Sequence, residues 1–298
     1  MQHSRSGIAL LITVMFVIVI TVAIGYGLKQ VNSAATAVKQ ENFIYQSNII
    51  VEDLLRILQT SPEIQAAVDT NSSEALFLLI SQAAFIPFES HGLEMVLKIK
   101  SARAKFNPAQ IDANNTEQIK LFMNNYNINN QYVDILRDNI NGIKEDNSYN
   151  SRIFDEHPYL FRDYIASSEH LKIINDFYTK EYNDNSLSKI DFDNLFYYSS
   201  DRNMSIDLNY ATPEVWEMLA GVQKERAEVL TANGGFYTKY EDLGLNDDEL
   251  ENLKHFKTSF YEPILDVEVE IRQNGLLSNI HFEYNIKTKK GSNFAFKL

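Results

Sequence analysis

Residues 7 to 28, from Gly7 to Leu28, form an apolar run with no charged side chain. At ~1.5 Å rise per residue such a run is about 33 Å of helix, which predicts a membrane span over 8–28. The helical pattern continues past Leu28. No proline intervenes before Pro62, and Ile44, Val51, Leu54, Leu55 and Leu58 recur at helical spacings, predicting one long helix. A second apolar helical stretch falls near Ala75 to Ala84. The period then changes to two: Leu93, Met95, Leu97 and Ile99 alternate with mostly polar residues, the mark of a half-buried strand. The same alternation returns in Val267, Val269 and Ile271, in Ile280, Phe282, Tyr284 and Ile286, and in Phe294, Phe296 and Leu298. Asn274-Gly275 and Lys290-Gly291 are expected as the turns between these runs.

Between roughly 106 and 260 the helical period governs. Ile119, Phe122, Met123 and Tyr126 make one stripe behind a cap-like Thr116, Leu171, Ile174 and Tyr178 make another, and Asn246 leads into Leu250 and Leu253. The expected fold class is therefore α+β: a long N-terminal transmembrane helix packed on a small antiparallel sheet, with a large all-α insertion after the first strand. The expected organisation is a leader at 1–7, the span at 8–28, a helix extension and first α/β part at 29–105, the helical insertion at 106–260 and C-terminal strands at 261–298.

Composition narrows the function. Forty acidic against 27 basic side chains, a formal charge of -13, disfavour a phosphate backbone as ligand. The absence of cysteine excludes disulfides, thiolate metal sites and cysteine nucleophiles. The six histidines, at 3, 91, 157, 170, 255 and 281, have no metal-binding spacing, and no nucleophile-elbow serine or phosphate-cradling loop occurs, so no enzyme is expected. His3 and Arg5 precede the apolar run, which places the first residues in the cytoplasm and the rest outside: a single-pass inner-membrane protein with a periplasmic C-terminal domain.

The junction Ser4-Arg5-Ser6-Gly7-Ile8-Ala9-Leu10-Leu11-Ile12-Thr13 resembles the signal of type IV pilins and type II secretion pseudopilins. In that family a prepilin peptidase cuts after the glycine, which implies cleavage between Gly7 and Ile8. Most members carry a glutamate at mature position five, whose carboxylate can neutralise a neighbour's N-terminal amine. Ile12 stands there instead. The missing glutamate is similar to the K-type minor pseudopilin, a branch placed at the pseudopilus tip whose pseudopilin fold carries a mostly helical insertion. Its implied partners are the I-type and J-type minor pseudopilins, the major pseudopilin and the prepilin peptidase, with a membrane and without nucleic acid.

Two further segments carry the resemblance. Ser205 to Val215 looks like the family's asparagine-alanine-threonine-proline element opening a helix, with Thr212 as cap and Pro213 in the first helical position. It leads into a pattern resembling a helix-hairpin-helix whose turn, Gly221-Val222-Gln223, lacks the usual second glycine and is flanked by Glu225 and Glu228. Hairpins of this kind elsewhere bind DNA phosphates through backbone amides, so a membrane-tethered competence-type DNA-binding protein is one alternative, and a minor pilin of a type IV pilus is another. The second segment runs from Asp138 to Tyr149. Oxygen-rich side chains around Gly142 are what calcium needs, and K-type pseudopilins bind calcium through an acidic loop similar to Asp138, Asn141, Glu145, Asp146 and Tyr149. A solvated acidic loop is the plain reading of the same residues. The expected function is structural, a tip subunit that helps start the filament exporting proteins across the outer membrane.

Overall fold

The structure, a computed structural model, describes Phe16 and residues 36–62, 64–65, 72–90 and 92–297. The chain divides into two compact units, one comprising 1–102 with 263–298 and the other 103–262.

In the first unit α1 spans Thr36–Thr60 and buries Phe43, Ile50, Val51, Leu54, Ile57 and Leu58, a stripe at three- and four-residue spacing that packs on the sheet described below. A second helix, α2, covers Ser73–Ala83. Ser72 caps it by accepting the Ala75 amide at 3.2 Å, Glu74 sits favourably in its first turn, and Leu76, Ile80 and Ala83 are buried. Five strands follow: β1 (Ile86–Ser90) and β2 (Leu93–Ser101), then, after the second unit, strands at Ile264–Gln273, Leu276–Asn285 and Lys290–Lys297, called β5, β6 and β7. They form one antiparallel sheet ordered β1-β2-β5-β6-β7. The register aligns the alternating apolar residues on one face: Met95 opposes Ile271, Leu97 opposes Val269, and Val267 opposes Phe282, all fully or almost fully buried.

Asn274 and Gly275 both adopt left-handed backbone, the pairing that a two-residue hairpin turn requires. The turn expected at Lys290-Gly291 closes earlier. Asn285 Oδ1 accepts the Thr288 amide at 3.0 Å and Lys289 takes the positive φ, so Lys290 and Gly291 already belong to β7. Gly291 is tightly packed there: a Cβ would lie 2.6 Å from the Phe294 ring and 3.1 Å from Leu55, so those side chains would have to shift.

The second unit is mostly helical: α3 (Thr116–Asn125), α4 (Gln131–Asp138), α5 (Ile153–Glu156), α6 (Ser168–Tyr182), α7 (Phe192–Leu195), α8 (Pro213–Ala220), α9 (Lys224–Ala232) and α10 (Asp247–Leu253). Its core gathers Ile119, Phe122, Tyr132, Leu136, Ile174, Tyr178 and Trp216. Asn246 and Glu249 form a reciprocal capping box at the start of α10. The cap of α3 is Asn115 rather than Thr116, whose hydroxyl donates back to the Asp112 carbonyl.

Two expectations need correcting. The unit is not all-α, because Ile206–Asp207 (β3) pairs in parallel with Thr258–Ser259 (β4), closing a long excursion with backbone hydrogen bonds. The α+β arrangement built on a transmembrane helix, and with it the single-pass inner-membrane placement with a periplasmic domain, does not stand. Among the described residues no helix is long and apolar enough to cross a membrane. The long helix that is present, α1, carries Glu41, Glu52, Asp53 and Arg56, and α2 has 11 residues where a span needs about 20. The run 8–28, with Gly7, Ile8 and Ile12, lies outside the described residues.

Candidate functional site

Asp138 ends α4 and is fully buried, because the helix turns its Val133, Leu136 and Asp138 side chains inward. Its carboxylate meets the chain returning into α5. Oδ1 accepts from the Asn150 amide at 3.1 Å and from Asn150 Nδ2 at 3.0 Å; Oδ2 accepts from the Ser151 amide at 2.8 Å and the Ser151 hydroxyl at 2.9 Å. Lys144 Nζ stands 3.9 Å from Oδ1. A buried carboxylate with four donors and a cation is fully satisfied.

The rest of the loop folds over Tyr149. Its hydroxyl accepts from the Lys144 amide at 2.8 Å and from Arg162 Nη1 at 3.0 Å, while the guanidinium of Arg162 lies 3.9 Å from the Phe154 ring centroid. Burial works to raise the Tyr149 phenol, but these donors and the two cations outweigh it and hold the phenol below its ordinary value. Asp146 is held low chiefly by its hydrogen bonds with Ser148. Asn141, Glu145 and Asp146 are exposed.

The structure does not bring Asp138, Asn141, Glu145 and Asp146 together around one point. Asp138 has spent its lone pairs on Asn150 and Ser151, and the other three face solvent. Among the described residues no group of three or more histidine, aspartate or glutamate side chains is placed to hold a metal ion. Lys144, which the sequence reading passed over, supplies the positive charge beside Asp138. The unfolding midpoint of the full chain is expected to be the same in millimolar calcium and in chelator. A clear upward shift in calcium, of the size that ~100-fold saturation gives (about 2.7 kcal/mol), would show that the loop binds the ion.

The second element, Ser205 to Val215, is a junction rather than a surface motif. Asp207 is buried and accepts from the Asn209 amide at 3.0 Å and the Glu262 amide at 2.8 Å; burial pushes its carboxyl up to about 7 against those two hydrogen bonds. Asn209 Nδ2 donates to the carbonyls of Tyr237 at 2.9 Å and Phe260 at 2.8 Å, and its Oδ1 accepts the Tyr237 amide at 2.8 Å. Gly234 approaches so closely that a Cβ would fall 2.3 Å from the Asn209 carbonyl oxygen, which only glycine permits. Thr212 caps α8 and its hydroxyl donates to the Asn194 carbonyl at 2.8 Å.

α8 and α9 form the hairpin around Gly221, which takes the left-handed conformation at the end of α8. Asn252 covers the turn: its Nδ2 donates to the Ala220 carbonyl at 3.1 Å, and its Oδ1 accepts from Gln118 at 2.8 Å. Glu217 beside the turn is raised chiefly by burial and accepts the Tyr126 hydroxyl at 2.6 Å. The 103–262 unit carries 28 acidic against 16 basic side chains, nearly the whole excess of the protein.

No protein-family model matches the sequence, and no curated protein matches it.

Proposed function

We propose that this protein is a structural subunit of a pilin-type assembly, a minor pseudopilin of the K kind acting at the tip of the type II secretion pseudopilus, with no catalytic step of its own. The observation that carries the reading is the place of the insertion. The chain leaves the sheet after β2, runs through the largely helical 103–262 unit and returns into β5, the antiparallel neighbour of β2, with α1 packed on the same sheet. A long helix on an antiparallel sheet interrupted at that point supports the resemblance carried by Gly7 and Ile12. The competence-type alternative is weakened by the acidic balance of the unit.

On this reading the partners are the I-type and J-type minor pseudopilins and the major pseudopilin. Cross-linking of tagged full chain in the cells that make it, followed by identification of the captured proteins, is expected to enrich the I-type and J-type subunits. Capture of chromosomal DNA without them would overturn the assignment.

A further inference from the structure

Strand β7 forms one margin of the sheet, and among the described residues no strand pairs with its outer edge. An edge of this kind presents a row of backbone N–H and C=O groups able to pair with another chain. The side chains along it are unusual. The register between β6 and β7 shifts between His281 and Glu283, so that Asn293 and Phe294 together oppose Phe282, with Asn293 in left-handed conformation. This bulge keeps Phe294 and Phe296 on the face shared with the core: Phe294 stacks on Phe282 at 5.2 Å between centroids, and Phe296 opposes the buried Ile280. Yet Phe294 and Phe296 remain 43% and 51% exposed. The core face thus continues to the rim of the sheet and is left half-covered there.

Charge decides what can cover it. Lys289, Lys290 and Lys297 are exposed at the ends of this strand, and residues 286–298 contain no carboxylate side chain, on a protein whose net charge is -13. A second copy would bring its own lysines against these, and like charges opposite one another destabilise a strand pair. A strand bearing carboxylates meets the lysines favourably and lays its alternate apolar side chains on Phe294 and Phe296.

We propose that the outer edge of β7 receives an extended, acidic segment of a partner protein as an added strand, its apolar side chains covering Phe294 and Phe296 and its carboxylates facing Lys290 and Lys297. The inference stands on the strand and its charges, and does not rest on the assembly reading.

The test uses full chain and a fluorescent octapeptide of alternating glutamate and valine, read by anisotropy. Three companions accompany it: the same peptide with lysine for glutamate, the same peptide N-methylated at alternate amides, and vesicles of anionic phospholipid. Saturable, salt-sensitive binding of the acidic peptide is expected. It should weaken at least about tenfold in K290E/K297E, whose exposed positions leave the melting temperature unchanged, and be lost on N-methylation. Equal binding of the lysine peptide, indifference to N-methylation, or no binding at all would overturn the proposal. Vesicle binding without peptide binding would overturn it in favour of a lipid surface.

Discussion

Asn209→Ala is expected to lower the stability of the 103–262 unit by roughly 3–5 kcal/mol, because it strips partners from buried and half-buried backbone groups. Asn209 is almost fully buried and serves two carbonyls and one amide at once. Each buried group left unpaired costs about 1–3 kcal/mol. Asn209→Asp is expected to do no better, since it turns a carboxylate oxygen towards the Tyr237 and Phe260 carbonyls. Trp216, the only tryptophan, is fully buried in the same unit and reports its unfolding directly by fluorescence. For a unit of this size the midpoint should fall by roughly 10 °C. A loss below ~1 kcal/mol would mean that the junction is held by packing alone.

Asp138→Ala is expected to cost roughly 1–3 kcal/mol, because it removes the buried acceptor of four hydrogen bonds. Four donors from Asn150 and Ser151 converge on one buried carboxylate, with Lys144 alongside. Removing it leaves two backbone amides without acceptors and frees the loop between α4 and α5. Hydrogen exchange of the Asn150 and Ser151 amides should accelerate far more than exchange in α6. Lys144→Met should have a much smaller effect, because Lys144 is partly solvated and its Nζ stands beyond hydrogen-bond distance of Asp138, donating instead to the Ser148 carbonyl at 2.8 Å. Equal effects of the two substitutions would make the ion pair, rather than the hydrogen bonds, the source of the stability.

The strands of the sheet were legible because one face is buried and the period of two survives in Leu93 to Ile99 and in Val267 to Ile286. β1 was not, since five residues containing Pro87 and Glu89 offer too short a pattern to read. The hydrogen bonding of the Asp138 loop was not legible, for a physical reason. Close spacing of oxygen side chains fits both a cation site and a helix end capped by its own returning chain, and only the burial of Asp138 separates the two. The inward-facing Val133 and Leu136 on the same helix were the available signal. Asn209 lay inside a noted motif, but its partners stand 28 and 51 residues away, and no local pattern encodes them. The role of Gly234 is invisible for the same reason, being set by the Asn209 carbonyl that faces it.

N-terminal sequencing of the mature protein, purified from the cells that make it, tests the proposal that this chain is a pilin-type subunit. Arg5 in a polar leader, Gly7 at its end and an apolar run from Ile8 predict one cut by prepilin peptidase, giving a first residue of Ile8. Gly7→Leu should abolish the cut and leave the full-length N-terminus. A mature protein that begins at Ile8 is the predicted result; one that begins at Met1, or beyond Gly25, would contradict the assignment.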